Sequence, residues 1–105
     1  MLGVKVTIVR YISDDPQPGI IELQLEDAHG RRWSFVEKTA IVSKKFLDDE
    51  TSYPQQGVIA CEVVQRSLDT SGREVIRIDT QKPWYVESVE GVTQFDVSSD
   101  LLTEW

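Results

Sequence analysis

The chain has 105 residues, with 18 acids against 11 lysines and arginines, a formal net charge of −7 and a single cysteine, Cys61. That length suits one domain, residues 1–105, burying a core of its own, and one thiol excludes an internal disulfide or a cysteine-built metal cage. The negative balance opposes an electrostatic hold on phosphate backbones, so no nucleic-acid partner is expected.

The opening Met1-Leu2-Gly3-Val4-Lys5 lacks the basic-then-apolar layout of a secretory leader. No apolar run approaches the roughly 20 residues that cross a bilayer. The expected setting is cytoplasmic, with no membrane partner. Val4, Val6 and Ile8 then alternate with Lys5 and Thr7, and Ile21, Leu23 and Leu25 alternate with Glu22, Gln24 and Glu26. A period of two marks half-buried strands. Arg32 to Phe35 continues the alternation beyond a turn at Gly30, and the β-branched stretch Thr39 to Val42 extends or restarts that strand.

Ser43 to Leu47 offers a capped helical turn, whereas Val58 to Val64 reads as a central or bulged strand around Cys61. Val75, Ile76 and Ile78 supply a return strand. Trp84 to Val89 and Thr93 to Val97 are expected to pair across Glu90-Gly91. Ser99 to Leu102 has the cap and early acid of a second short helical turn. The whole predicts an all-β fold: a small barrel or barrel-like sandwich of about seven antiparallel strands, with at most one or two helical turns.

One pattern occurs twice. Pro16-Gln17-Pro18-Gly19-Ile20-Ile21 matches Pro54-Gln55-Gln56-Gly57-Val58-Ile59, and an Asp-x-x-Gly-Arg turn follows each, at Asp27 to Arg31 and Asp69 to Arg73. Two similar hairpins, 16–37 and 54–79, are expected, through either duplication or convergence on the same turn chemistry.

Chemistry-bearing groups are sparse. The only histidine, His29, sits in the Asp27 to Arg31 turn, with no serine elbow near it in sequence. One His and one Cys make no structural zinc site, Asp14-Asp15 and Asp48-Asp49-Glu50 lack calcium-loop spacing, and the glycines form no phosphate cradle. No catalytic residue, metal or cofactor is therefore assigned. The aromatics Tyr53, Trp84 and Tyr85 stand at strand entrances beside prolines, where rings project from the end of a core. From Pro83 to Trp105 the charged residues are all acids, Glu87, Glu90, Asp96, Asp100 and Glu104.

The run Tyr53 to Val63, with Asp69-x-x-Gly72-Arg73, Val75, Ile78-Asp79-Thr80, Pro83-Trp84, Val9-Arg10-Tyr11 and Phe35 to Lys38, resembles a group of short, functionally uncharacterised bacterial all-β proteins. The resemblance implies a stand-alone bacterial domain and transfers no catalytic residue.

The leading expectation is a non-enzymatic protein-binding module that meets a partner with a basic surface through Tyr53, Trp84, Tyr85, Glu87 and Glu90. One form of it is the small acidic antagonist of a basic toxin or effector. The alternative is a β-barrel binding a small ligand among Trp33, Tyr53, Trp84 and Tyr85, with an enzyme using Asp27 and His29, or the loop carboxylates, ranked third.

Overall fold

The Val4, Val6, Ile8 alternation is part of one long strand, β1 (Leu2–Ser13), in the computed structural model, which describes residues 1–105. It is followed by β2 (Ile20–Glu26), β3 (Arg32–Lys38), a single helical turn α1 (Thr39–Val42), β4 (Gln55–Ala60), β5 (Glu62–Leu68), β6 (Glu74–Asp79), β7 (Gln94–Ser98), a 3-10 turn at Ser99–Leu101 and β8 (Leu102–Glu104). One antiparallel sheet has the order β3-β2-β1-β4, with β8 also on β1; the other has the order β5-β6-β7. The chain passes between sheets at Cys61 and again at the 3-10 turn.

The fold is therefore all-β and sandwich-like, and the expected barrel does not close. β3, β4, β5 and β7 remain sheet edges. Between the sheets, β3 receives one hydrogen bond, from Val89 N–H to the Ser34 carbonyl at 2.8 Å, and β7 receives one from Ala28 N–H to the Asp96 carbonyl at 2.7 Å. Single bonds to loops pin the edges without forming the ladders that a barrel requires.

Alternation decides what fills the interior. Val4, Val6 and Ile8 of β1, Ile21, Leu23 and Leu25 of β2, and Ile76 and Ile78 of β6 are buried in one cluster with Phe35, Phe95 and Cys61. Phe95 joins the layers, since its ring meets Trp33 and Phe35 edge-on with centroids 5.2 and 5.6 Å apart. Such pairs add about 0.5–1.5 kcal/mol beyond their burial.

Two segments differ from expectation. Trp84 to Val89 is not a strand; β7 pairs with β6 instead, in the register Ile78↔Phe95. The cause is Thr80, fully buried, whose hydroxyl donates to the Val86 carbonyl at 2.5 Å and lies 3.2 Å from that of Thr93. That hydroxyl folds residues 81–93 into a loop. Thr39 to Val42 is helical rather than extended because Ser43 N–H closes a turn on the Thr39 carbonyl and Thr39 N–H is held by the Gly19 carbonyl, both at 3.0 Å. The helical turn expected at Ser43 to Leu47 is irregular chain instead.

The doubled pattern splits into a part that is equivalent and a part that is not. In both turns one Asp carboxylate oxygen accepts two N–H groups at 2.9 Å, from His29 and Arg31 on Asp27 and from Ser71 and Arg73 on Asp69. Gly30 and Gly72 adopt φ values of 82° and 84°. The Pro-Gln-x-Gly halves differ. Gly19 has a φ of 124° beneath the Tyr11 ring, whereas Gly57 lies within β4, in the first sheet, and Cys61 separates it from the β5–β6 hairpin.

The second hairpin is also the more exposed. Val64 falls in a register shift against β6, and every residue from Val64 to Glu74 is exposed, so the ribbon tip projects past the core.

Gly57 has no left-handed backbone; its value is space. A Cβ there would lie 3.0 Å from Ile8 Cγ1 and 3.2 Å from the Val42 carbonyl. Gly57→Val is expected to lower stability by about 1–3 kcal/mol through overpacking, read as a lower denaturant midpoint with an unchanged slope.

Candidate partner-binding groove

The absent side chain of Gly57 lets α1 settle close onto β4. At the neighbouring Gly3, flanked by Ala60 and Thr103 in the ladders, a Cβ would collide with Val58 and stand 3.2 Å from Trp105 Cβ. Between α1 and Trp105 lies a surface groove. It is lined by Met1, Ala40, Ser43, Lys44, Trp84 and Trp105, has a volume of about 520 Å³, and adjoins an apolar hollow formed by Ala40, Ile41 and Trp84.

Trp84 is held over this groove by the loop that Thr80 organises. Gln81 N–H is capped by Asp79 at 2.7 Å, and Tyr85 N–H and Val86 N–H return to the Gln81 and Thr80 carbonyls at 2.9 and 3.0 Å. Tyr85 takes a φ of 50°, uncommon for a bulky residue. The Trp84 ring meets Trp105 edge-on at 6.0 Å, and the Lys44 ammonium lies 5.2 Å from the Trp105 centroid. Trp84 still shows 43% of its surface to solvent, whereas the Trp105 indole nitrogen is buried with no acceptor.

The other expected binding residues do not gather here. Tyr53 is at the opposite end of β4, where its hydroxyl donates to the Asp48 carbonyl at 2.9 Å. Nearby, Tyr11 donates to Asp14 at 2.7 Å, and that bond, burial and the charges of Asp14 and Asp49 push its pKa up to about 12. The Asp14 and Asp48–Asp49 loops thus approach one another around two tyrosines, yet no three carboxylates come together as a metal would need. Glu90 is engaged by Arg31 at 2.9 Å, and Arg31 in turn lies 3.8 Å over the Trp33 ring.

The acid-only stretch from Pro83 to Trp105 is largely neutralised within the molecule. Besides Glu90, Asp96 pairs with Arg77 at 2.8 Å and with His29 at 3.1 Å, and Glu104 pairs with the Met1 amine at 2.8 Å. Arg77 first, then His29, hold the Asp96 carboxyl below its ordinary range. His29 therefore faces an acid that an arginine already occupies, and its side-chain hydrogen bond reaches no hydroxyl or thiol.

The sequence reading missed Trp105, Lys44, Ala40 and Ile41. Trp105 was available as the third tryptophan; the others carried no signal, because only packing places α1 beside Trp84. A further concavity of about 410 Å³, with Lys5, Thr7, Pro54, Gln55 and Gln56 among its walls, has no aromatic lining.

Glu37, on the inward face of β3 opposite buried Ile21, has its pKa raised by burial and by the nearby Glu87 charge, against an opposing effect of Lys38. A carboxyl raised on folding makes stability fall as pH climbs from the unfolded to the folded pKa. Glu37→Gln should therefore be more stable than the parent at pH 7 and match it once both are neutral, below about pH 4, in denaturant titrations across pH. Burial also pushes the Cys61 thiol up to about 11, from 9.0. Iodoacetamide should modify it about a hundredfold more slowly in the native protein than in denaturant, in proportion to thiolate. No protein-family model, curated protein or solved structure matches the chain.

Proposed function

We propose that this protein is a non-enzymatic protein-binding module that receives a partner segment in the Trp84–Trp105 groove. One observation carries the reading: two tryptophans, one of them well exposed, wall an open apolar groove beside a core that is otherwise filled. Desolvated tryptophans are the commonest energetic centres of protein interfaces. A groove this open suits a chain segment better than a small ligand, which is normally enclosed on most sides. The neighbours of His29 and the suppressed Cys61 thiolate favour binding over catalysis.

A second reading keeps a basic partner, such as a toxin or effector, but moves its contact to the opposite end of the molecule. The approach of Asp14 and Asp49 to Tyr11 favours it, since neither carboxylate takes part in an ion pair. Affinity capture from the native host separates the two. Under the groove reading, Trp84→Ala should cost about 2 kcal/mol, roughly 30-fold in affinity for the captured protein, while the double variant Asp14→Asn, Asp49→Asn binds normally. The reverse pattern supports the second reading. A partner indifferent to both variants overturns both.

A further inference from the structure

The charges of this molecule are not shared evenly among its cations. Its ion pairs use the Met1 amine, Arg10, His29, Arg31, Arg66 and Arg77, and none uses a lysine. Two of the unpaired lysines, Lys44 and Lys45, line the groove system, Lys38 immediately precedes α1, and Lys82 lies two residues before Trp84. The one acidic side chain in those walls, Glu104, is held by the Met1 amine and also feels the Lys44 charge. A chain of net charge −7 thus sets two lysines that join no ion pair, Lys44 and Lys45, against its aromatic groove.

A second observation comes from the groove wall. The Trp105 indole N–H has given up water and gained no acceptor, which costs free energy for a buried donor. Beside it, Lys44 lies over the ring at 5.2 Å, a contact that is weak at an exposed site and so easily relinquished. Next along the chain, Phe46 is 83% exposed.

From these, and resting on the groove reading above, we infer that the natural occupant is an acidic peptide segment: an apolar side chain seated against Trp84 and Ile41, with flanking carboxylates on Lys44 and Lys45. A carboxylate or backbone carbonyl of the segment is the acceptor that Trp105 lacks. An anionic bilayer would offer similar head-group chemistry, but a wide charged surface meets the repulsion of the whole molecule. A short segment feels mainly charges within a Debye length, about 8 Å at physiological salt.

The test uses the full chain and three sets of capped heptapeptides, each with a central Trp or Leu, flanked by Asp and Glu, by Ser, or by Lys. Fluorescence anisotropy gives affinity, and the Trp105 indole N–H resonance reports location. The acidic set should bind at least about tenfold more tightly than the Ser set, the equivalent of 1.4 kcal/mol, weaken as salt rises, and shift the indole resonance. The exposed double variant Lys44→Glu, Lys45→Glu should transfer the preference to the Lys-flanked set. Equal binding of all three sets, still shifting the indole and unchanged in the double variant, would overturn the acidic occupant and leave the groove reading intact. If no peptide at millimolar concentration shifts the indole, both fall. Co-sedimentation with phosphatidylserine vesicles when the peptides fail would replace the segment with a lipid surface.

Discussion

Strand β1 has hydrogen-bonded partners along both edges, and the remaining architecture depends on that double occupancy. One edge carries β4 from Gly3 to Ile8; the other carries β8 at Leu2 to Val4 and β2 from Thr7 to Ser13. Each partner then delivers one part of the groove. β2 leads through β3 to α1, β4 presents the Gly57 surface on which α1 rests, and β8 lays Trp105 beside Met1. A strand satisfied on both edges is the hardest to open locally, so the groove walls are anchored to the most constrained element of the molecule.

Two backbone devices convert that frame into a concave surface. Glycines at positions 3 and 57 remove volume where Trp105 and α1 must come close, and their ordinary φ angles show that space rather than turn chemistry is the requirement. Buried Thr80 does the opposite work, its hydroxyl donating to the mid-loop Val86 carbonyl and its N–H to the Thr93 carbonyl at the loop's end, and so holds Trp84 away from the core. The exposed indole is the product of a fully satisfied buried hydroxyl several residues earlier in the chain.

Electrostatics divides the molecule in a way that net charge conceals. Four of the six arginines and His29 pair with acids on the strands and turns, whereas no lysine does. This follows from their chemistry: the planar guanidinium holds carboxylates in fixed geometry, while the lysine ammonium is strongly hydrated and keeps its freedom at a surface. Acids outside any ion pair also gather where the Asp14 and Asp48–Asp49 loops approach the two tyrosines, far along the chain from the acid-only stretch that composition singles out.

Much of the scaffold is legible in the residues themselves. Alternation of period two in Val4 to Ile8, Ile21 to Leu25 and Val75 to Ile78 dictates strands with one buried face, and Asp-x-x-Gly-Arg dictates the turn, because its hydrogen bonds all close within five residues. Local chemistry suffices wherever the partners are local. The groove was not legible for the converse reason. Trp84 meets Trp105 across 21 positions, Thr80 overrides the strand pattern of Trp84 to Val89 by gripping a carbonyl beyond it, and Gly19 and Gly57, alike in sequence, serve a left-handed turn in one place and a close packing contact in the other. The sequence by itself determined an all-β domain, its strand faces and its turns. Only the tertiary structure decided that the strands form two open sheets, and which aromatics and cations share a surface, since those depend on contacts between residues far apart in the chain.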